Sequence, residues 1–564
     1  MSWFHTWSGL LLGWLLYAVF FTGTLSYFVD EVNDWMRPEL HASVPQADTA
    51  EKAMAGMQKL APDASSWTIS LPSARQTAVS VSWRPQGAAQ GREGLQRAYL
   101  DAATGEVIPV RETRGGSFLY RFHFELYAMP RIWGRWIVGI ATFVMFVAIL
   151  SGVVTHKKIF TDFFTFRPRK GQRSWLDAHN ATAVLALPFH IVITFSGLLL
   201  LMTMLMPWGV HAVYDGDTQR FNAERRGMVQ AAAPQNGAPG GAREAGREGR
   251  SPQGERGEGR DGREDRAGRA VPAPVALAPI ASMLQQAQAQ WPDRSVGAIT
   301  VQNPLTARAK VELREEGSSS LNNRGSGQRL VFDGVTGQLQ DTAAARAPSA
   351  INTFIGSVSG LHLGRFADPA VRWLLFLSGV VGTLMAATGM VLWVVKRLPE
   401  RRKRGFTPKG HRLVEVLNVA SIAGLSVAVA GYFVANRWIP VGIAERAEAE
   451  IHCFFGVWLA CLVHAALRPH AKAWLEQLAL AAVAFAALPL LNAATGGAGL
   501  WRSIPHGQWG VAGFDVMMWA LAVLHGVVVH QLWRRQAAAR PATVVASGGS
   551  GLPKTALQAP EQQP

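Results

Sequence analysis

The chain has 564 residues, of which 49% are hydrophobic and 17% charged, and its net charge at neutral pH is +16. A chain this long and this apolar is too hydrophobic to be one soluble domain. The positive charge would suit nucleic-acid binding, but the basic residues concentrate in short loops between apolar runs, where they orient a membrane protein. The composition therefore predicts a polytopic membrane protein in the lipid bilayer that binds no nucleic acid.

Eight apolar runs approach the ~20 residues that a helix needs to span a bilayer. They are residues 8–29, 132–155, 179–206, 371–395, 413–435, 449–467, 474–494 and 513–533. The first run lacks a small-residue cleavage site and is predicted to be an uncleaved anchor. Basic residues dominate the loops 157–173 and 396–412. The positive-inside rule then predicts an inner-membrane protein with both termini in the cytoplasm.

These boundaries predict an all-α membrane bundle of about eight helices with two periplasmic α+β domains. The predicted segments are an anchor at 1–29, a first outer domain at 30–131, two spans with a basic loop at 132–206, a second outer domain at 207–370, five spans at 371–533 and a cytoplasmic tail at 534–564. Within the second outer domain, residues 223–273 are rich in glycine, arginine, glutamate and alanine. Such a composition predicts a disordered insert, and the tail is predicted to be disordered too.

The two outer segments repeat one pattern of a helix, a strand and a hairpin. Each hairpin contains the sequence D-x-x-T-G, at 101–105 and again at 333–337. This motif predicts a turn with glycine at the position that needs a positive φ. A histidine between apolar residues follows each hairpin, His123 after the first and His362 after the second. The pattern predicts an internal duplication.

Cys453 and Cys461 are the two cysteines, and they lie eight residues apart in one apolar run. On one helix this spacing is about 12 Å, too far for a disulfide. No CxxC motif is present for zinc or for covalent haem attachment. Any haem would therefore be of the non-covalent b type.

His179 and His190 lie eleven residues apart in one apolar run. On a straight helix they would be about 20° apart around the axis and roughly 16 Å apart along it. Ionisable side chains within lipid are costly, and imidazole is a common ligand of haem iron. The spacing therefore predicts that His179 and His190 bind the iron of two stacked haems.

Each of these histidines needs a partner from another helix at the same depth. The sixth run offers His452 and His464, which are twelve residues or about 18 Å apart but about 120° apart in azimuth. His156, at the end of the second run, competes as the inner ligand. His123 and His362 are predicted at the outer interface, where they would cap an outer haem or face a substrate.

Four further histidines, and four arginines near the outer boundary, have more than one interpretation. We expect ordinary interfacial hydrogen bonds for the histidines His5, His411, His525 and His530. The arginines would either reach toward lipid phosphates or attract an anionic ferric chelate or haem propionates. These arginines are Arg131, Arg135, Arg365 and Arg372.

Several motifs resemble the PepSY-domain, iron-regulated membrane proteins, a family that includes bacterial ferric-siderophore reductases. The matching stretches are residues 151–160, 171–180, 187–190, 361–366 and 417–420. The resemblance implies PepSY folds for the outer domains and, as in the reductases, b-type haems between the membrane helices. It implies an oxidoreductase that passes electrons across the membrane to a periplasmic ferric chelate.

The sequence contains neither a GxGxxG fingerprint after a strand nor a Walker loop. These motifs bind dinucleotides and nucleotides, so the reductant is expected from an unidentified electron donor. Two other classes remain open. One is a permease or accessory subunit that moves iron chelates or small solutes without a redox step and uses the outer PepSY domains as binding modules. The other is a regulatory protein whose PepSY domains inhibit a periplasmic protease.

Overall fold

A computed structural model gives the fold of this protein. It describes residues 2–89, 93–155, 166–168, 170–205, 208–217, 220–221, 274–316, 319–320, 323–324, 328–343, 350–364 and 366–538. Four of the predicted features lie outside these residues, namely His156, Arg365, the 223–273 insert and residues 539–564 of the predicted tail.

Eighteen α-helices are found in the part of the chain that the structure describes. The first nine are α1 (Ser2–Leu25), α2 (Val29–Trp35), α3 (Thr49–Leu60), α4 (Gly116–Glu125), α5 (Arg131–Thr155), α6 (Gln172–Leu185), α7 (Leu187–Leu200), α8 (Met202–Leu205) and α9 (Trp208–Tyr214). The other nine are α10 (Ile280–Gln290), α11 (Ala350–Leu363), α12 (Pro369–Lys396), α13 (Leu398–Arg404), α14 (Lys409–Trp438), α15 (Arg446–Leu467), α16 (His470–Ala494), α17 (Leu500–Ser503) and α18 (Trp509–Ala538). Short 3₁₀ turns cover Ser26–Phe28 and Pro38–Ala42.

Seven of the described helices are long and apolar enough to cross a membrane, and the pair α6 and α7 would make an eighth span. The prediction of a polytopic membrane protein is thereby confirmed. The last helix continues to Ala538, so residues 534–538 are helical and do not belong to a disordered tail as predicted. Both cysteines are free, as predicted.

The third predicted span is not one straight helix. The axes of α6 and α7 differ by 67°. Ala186 between them has non-helical backbone angles, and Pro188 lies in the first turn of α7. A proline has no N–H to donate to the carbonyl four residues earlier, and its ring clashes with that carbonyl. The predicted geometry for His179 and His190, based on a straight helix, is therefore wrong.

The bundle is built around two long helices. α14 is the most buried span, and it packs against α15 and α16 while α16 packs against α18. α12 packs along α1 and α6 on its other side. Small residues such as Gly379 and Gly382 on α12 allow close approach to α1, as small residues do in membrane bundles.

The strands of both outer segments form one antiparallel sheet rather than two separate domains. Its strands are β1 (Ala64–Ser70), β2 (Val79–Pro85), β3 (Gln96–Leu100), β4 (Val107–Ile108), β5 (Val296–Gln302), β6 (Lys310–Glu315), β9 (Arg329–Asp333) and β10 (Leu339–Ala343). The short strands β7 (Ser319–Ser320) and β8 (Asn323–Arg324) pair with each other. The order in the large sheet is β10-β9-β6-β5-β1-β2-β3-β4.

The two halves of the sheet meet at β1 and β5. Thr68 pairs with Thr300 at the centre of this contact, Ser66 pairs with Gln302, and Ser70 pairs with Ala298. The pairing is symmetric about Thr68 and Thr300, and each half contributes four strands in the same order. This arrangement is what an internal duplication produces when its two copies pair edge to edge.

One face of the sheet is buried under two helices. Trp67 and Ile69 of β1, together with Ile299 and Val301 of β5, are fully buried on that face. They share one hydrophobic core with α3 and α10, in which Met57 and Met283 are also fully buried. Alternation of apolar and polar residues along these strands places the apolar set on a single side.

Both D-x-x-T-G motifs form the predicted turn. Asp101 Oδ1 accepts hydrogen bonds from the amides of Ala103 and Thr104, and Gly105 has a φ of +75°. In the second copy, Asp333 Oδ1 accepts from the amides of Val335 and Thr336, and Gly337 has a φ of +72°. The hydrogen bond from the Thr336 amide is the main reason why the pKa of the Asp333 carboxyl lies below its usual range.

A buried ionic contact joins the first outer segment to the last four spans. Arg446 and Glu450 on α15 are fully buried and form an ion pair with each other. The Thr113 hydroxyl donates to the Glu450 carboxylate at 2.5 Å, and Arg446 donates to the Glu112 carbonyl at 2.9 Å. Arg111 donates to the carbonyl of Asn436 at 2.9 Å. The chain leaving β4 is therefore held at the sheet-side ends of α14 and α15.

Candidate functional site

Two of the predicted histidines meet near the sheet side of the bundle. His123 lies on α4 and His362 on α11, the equivalent helices of the two copies. Their ring centres are 6.1 Å apart and their planes differ by 45°. Both rings are half-buried. We call these two residues the outer pair.

The Nδ1 atoms of the outer pair are already engaged. His123 Nδ1 lies 2.7 Å from the Val19 carbonyl oxygen on α1, and His362 Nδ1 lies 2.8 Å from the Ser196 hydroxyl on α7. A carbonyl is only an acceptor, so Nδ1 of His123 carries the hydrogen and its Nε2 keeps a free lone pair. The same second-shell arrangement orients metal-binding histidines.

Glycines allow the outer pair to approach the helices behind it. A Cβ atom on Gly23 would lie 2.6 Å from the ring of His123, which is too close for any side chain. A Cβ atom on Gly197 would lie 3.2 Å from His362. The positions of both rings therefore depend on the absence of a side chain at these two sites.

A cavity of about 270 Å³ lies beside the outer pair. His123 and His362 line it together with Tyr27, Arg135 and aromatic and aliphatic residues of α1, α5 and α7. Cavities of this kind, apolar with a few converging polar groups, are the usual sites of small ligands.

A second pair of imidazoles lies at the opposite end of α1. His5 of α1 and His179 of α6 have ring centres 6.4 Å apart, and their planes differ by 62°. His179 is half-buried, whereas His5 is exposed on the outside of the bundle. His179 Nδ1 lies 3.0 Å from the Met385 carbonyl oxygen on α12. We call these two residues the inner pair.

Sequence reasoning did not predict the contact between His5 and His179. It predicted an ordinary interfacial hydrogen bond, and the structure instead places the ring beside His179. A glycine again sits behind the pair, because a Cβ on Gly389 would lie 3.1 Å from the ring of His179. The position of His5 near the start of an apolar run, at the depth predicted for His179, was the signal that could have indicated the contact.

His190 is the most buried of the predicted ligands, with 1% exposure. The Ala183 carbonyl accepts a hydrogen bond from its ring, and its Nε2 has no partner. The rings of Phe20 and Phe189 lie 6.0 Å from it. The predicted pairing of His190 with another imidazole at the same depth is not seen among the ring contacts of the described residues.

The predicted partners on the sixth run are placed elsewhere. His464 Nε2 lies 2.8 Å from Glu476 Oε2 and its Nδ1 lies 3.2 Å from the Gln477 side-chain amide, so both ring nitrogens are engaged. His452 is exposed on α15, which packs against α14 and α16. The structure therefore brings neither His452 nor His464 to His179 or His190.

The described arginines near the outer boundary form ion pairs. Arg135 contacts Glu125 at 2.5 Å, and Arg131 lies 4.0 Å from the same carboxylate. Arg372 lies 3.6 Å from Glu31. Neither predicted interpretation, lipid phosphate or chelate, included these acidic partners. The Arg131 side chain remains 73% exposed and is the one of the three most open to an external anion.

Among the residues that the structure describes, no cluster of three or more His, Cys, Asp or Glu side chains could hold a metal ion. A multi-ligand site for a bare metal ion is thus not formed by these residues. Each imidazole pair instead brings two rings close together, with ring centres 6.1 and 6.4 Å apart.

The comparison with known families agrees with the membrane architecture. The family model described as PepSY-associated TM region matches residues 2–396. The chain belongs to the PepSY-associated TM family. This match covers both imidazole pairs and the whole sheet, whereas α14 to α18 lie beyond the matched residues. No curated protein matches the sequence.

Proposed function

We propose that this PepSY-associated membrane protein holds two b-type haems and carries electrons through the bilayer to a ferric chelate on the sheet side. The observation that carries the proposal is the presence of two imidazole pairs near opposite ends of α1. Family membership alone supports only a membrane protein of this class. The proposed reductase activity rests on the resemblance to the reductases. The proposed haems rest on that resemblance and on the geometry of the imidazole pairs.

The spacing within each pair fits a shared iron. Two imidazoles that bind one metal from opposite sides at about 2 Å each have ring centres about 6 Å apart. The outer pair is at 6.1 Å and the inner pair at 6.4 Å. His123 and His179 have Nδ1 bonded to carbonyl oxygens, which leaves Nε2 available as a ligand atom. His123 and His362 would hold the outer haem, and His5 and His179 the inner one.

The separation of the pairs fits transmembrane electron transfer. His5 is on α1 itself, and the ring of His123 lies against Val19 of the same helix. Fourteen residues separate these positions, or about 21 Å at the helical rise of 1.5 Å per residue. Two haems at these depths would divide electron transfer across an apolar layer about 30 Å thick into shorter steps.

Haem ligated by two histidines supplies a one-electron carrier without an open coordination position, which suits electron transfer rather than oxygen chemistry. The residues of this chain contribute orientation and insulation. Gly23, Gly197 and Gly389 leave room for the rings. The carbonyl oxygens of Val19 and Met385 hold two of the imidazoles in a fixed tautomer.

A ferric chelate is the proposed acceptor because reduction releases iron from hard oxygen ligands. Such ligands hold Fe(III) more tightly than the softer Fe(II). The chelate would approach from the sheet side, where Arg131 is exposed. We assign this side to the periplasm because the basic helix α13, with Arg401, Arg402 and Arg404, lies at the other end of the bundle.

The test is a reduced-minus-oxidised absorption spectrum of the full-length protein, purified in detergent from haem-replete cells. A b-type α band and about two haems per chain are expected. Re-oxidation of the reduced protein by a ferric hydroxamate, followed by trapping of Fe(II), tests the acceptor. A colourless protein would refute the proposal and favour the permease or regulatory alternatives.

A further inference from the structure

A second cavity lies at the end of the bundle opposite the sheet. Its volume is about 410 Å³. One wall is aliphatic and belongs to α12, with Val391, Val394 and Val395. The other walls are contributed by α13, α14 and α16 and are polar or aromatic, with Arg401, Glu415, Asn418, His470 and Trp474. We call it the basic-end cavity.

Two groups in this cavity have unused hydrogen-bonding capacity. His470 Nε2 accepts a hydrogen bond from Trp474 Nε1 at 3.3 Å, so the hydrogen of the neutral ring is on Nδ1. That Nδ1 atom is buried and has no partner. Glu415 is 3% exposed, and its firm contact is the Arg401 guanidinium at 2.6 Å. The cavity therefore offers one free donor and one carboxylate acceptor beside an apolar wall.

An aromatic row connects this cavity with the inner pair. The Trp393 ring on α12 lies 6.3 Å from the Trp7 ring on α1 and 6.1 Å from the His411 ring on α14. Trp7 follows His5 by two residues, and His411 Nε2 lies 3.5 Å from the Glu415 carboxylate. The Arg397 guanidinium lies 3.8 Å from the centre of the Trp393 ring. The basic-end cavity is thus at the same end of the bundle as His5 and His179.

We propose that the basic-end cavity binds the head group of a membrane quinol. A hydroquinone is a flat ring with an oxygen at each end, one able to donate to the Glu415 carboxylate and the other able to accept from His470 Nδ1–H. The valine wall and Trp474 would contact the ring faces. This inference rests on the proposed function in one respect, since a membrane-soluble reductant is the class of electron donor that such a carrier requires.

The chemistry of the cavity favours a neutral aromatic ligand over a lipid phosphate. Arg401 and Arg412 are potential phosphate contacts, but both already pair with the Glu415 carboxylate, at 2.6 and 3.6 Å. A phosphate would face the buried Glu415 carboxylate, and like charges in a low-dielectric site repel strongly. The volume of about 410 Å³ lies within the usual range of roughly 300–1,000 Å³ for small-molecule sites.

The test is anaerobic isothermal titration of the purified, pre-reduced full-length protein with decylubiquinol and with menadiol, the hydroquinone forms of a benzoquinone and a naphthoquinone. We expect saturable binding to one site. His470→Ala removes a hydrogen-bond donor, and Glu415→Gln replaces a charged acceptor with a weaker neutral one, so each should raise Kd about tenfold. Val391→Phe, which fills the cavity without altering its polar groups, should abolish binding even if Glu415→Gln destabilises the fold.

Matched controls lie away from the cavity. His506→Ala changes an exposed histidine beyond α17, and Glu400→Gln changes an exposed glutamate of α13; neither should alter Kd. Absence of quinol binding, or equal quinol binding by every variant, overturns the inference. Loss of a co-purified anionic phospholipid in Arg401→Gln, with no quinol binding to the unaltered protein, identifies a lipid site and also overturns it.

The experiment separates this inference from the proposed function. Haem-containing protein that binds no quinol would leave the haem proposal standing and refute the quinol site. Haem-free protein that binds quinol in a manner dependent on His470 and Val391 would support the quinol site and refute the haem proposal.

Discussion

The Nδ1 atom of His179 lies 3.0 Å from the carbonyl oxygen of Met385, across the interface between α6 and α12. The contact fixes which ring nitrogen carries the hydrogen, because a carbonyl oxygen can only accept. His123 has the same relationship with Val19 near the opposite end of α1. His179 and His123 therefore have the same tautomer, and each ring lies beside a second imidazole, that of His5 or His362.

Alanine variants test the pairing of the histidines. His123→Ala and His362→Ala should each lower the haem-to-protein ratio by about half, and the double variant should lose no more, because both remove the same six-coordinate iron. His123→Ala combined with His179→Ala should remove nearly all haem. The ratio is measured by a pyridine haemochromogen assay, with His506→Ala as the control. Full haem content in His123→Ala would refute the outer pair.

A larger residue at Gly23 should disturb the outer pair. Gly23→Ala places a Cβ atom where it would lie 2.6 Å from the His123 ring. Since α1 and α4 must shift to relieve this contact, we expect a loss of about 1–3 kcal/mol in stability and reduced haem content. Gly9→Ala on the same helix is the matched control, because nothing lies within 4 Å of its Cβ position. Thermal unfolding in detergent compares the Gly23→Ala and Gly9→Ala variants. Equal melting temperatures of these two variants would contradict the prediction.

His190→Leu should stabilise the haem-free protein. A buried polar atom without a partner costs about 1–3 kcal/mol, and His190 Nε2 is such an atom. Leucine has a similar size and removes that penalty, so the melting temperature should rise slightly while haem content stays constant. The comparison requires both apo and haem-loaded protein. A fall in haem content would instead show that His190 is an axial ligand and that the proposed pairing is wrong.

His41 should make stability depend on pH in the acidic range. Its Nδ1 accepts from the Ala498 amide at 3.1 Å and its Nε2 contacts the Asp34 carbonyl at 3.0 Å, so the neutral ring is fully satisfied. Burial, helped by the charges of Arg437 and Arg111, lowers the pKa of His41 to about 4. The unfolded chain, with a histidine pKa of about 6.5, then binds the proton more readily than the folded protein between these values.

The contribution of neutral His41 to stability is therefore complete above about pH 6.5 and is lost as the pH falls toward about 4. We expect His41→Gln to reduce this dependence, since an amide can keep both contacts without titrating. The readout is the difference in melting temperature between pH 4.5 and pH 7.5 for the variant and the unaltered protein. An unchanged difference would exclude His41 as the titrating group.

The seam between the duplicated halves of the sheet is open to cross-linking. Opposite residues of antiparallel strands have Cα atoms about 4.5–5.5 Å apart, which is within disulfide range. Thr68→Cys with Thr300→Cys should therefore form a disulfide under mild oxidation, seen as a mobility shift on non-reducing gels. Thr68→Cys with Ala298→Cys is the control, because Ala298 pairs with Ser70 instead. Cross-linking of the control alone would contradict the observed register.

Local features of the fold were predictable from the sequence because they depend on neighbours along the chain. The apolar runs predict the spans, and the motifs at Asp101 and Asp333 predict turns that form with a positive φ at Gly105 and Gly337. The bend before His190 could also have been predicted from the sequence, because Pro188 cannot continue the hydrogen bonding of a helix. It was missed only because the apolar run was continuous.

The sequence by itself determined that this chain enters the membrane repeatedly, that two of the segments between its apolar runs repeat one pattern, and that histidines lie within or beside those runs. Only the tertiary structure decided that the two copies share one sheet through Thr68 and Thr300, and that His5 meets His179 while His123 meets His362. The reason is that helix azimuth and cross-strand pairing depend on contacts between residues far apart in the chain. Periodicity gives the face of one helix, but it does not identify which other helix that face will meet.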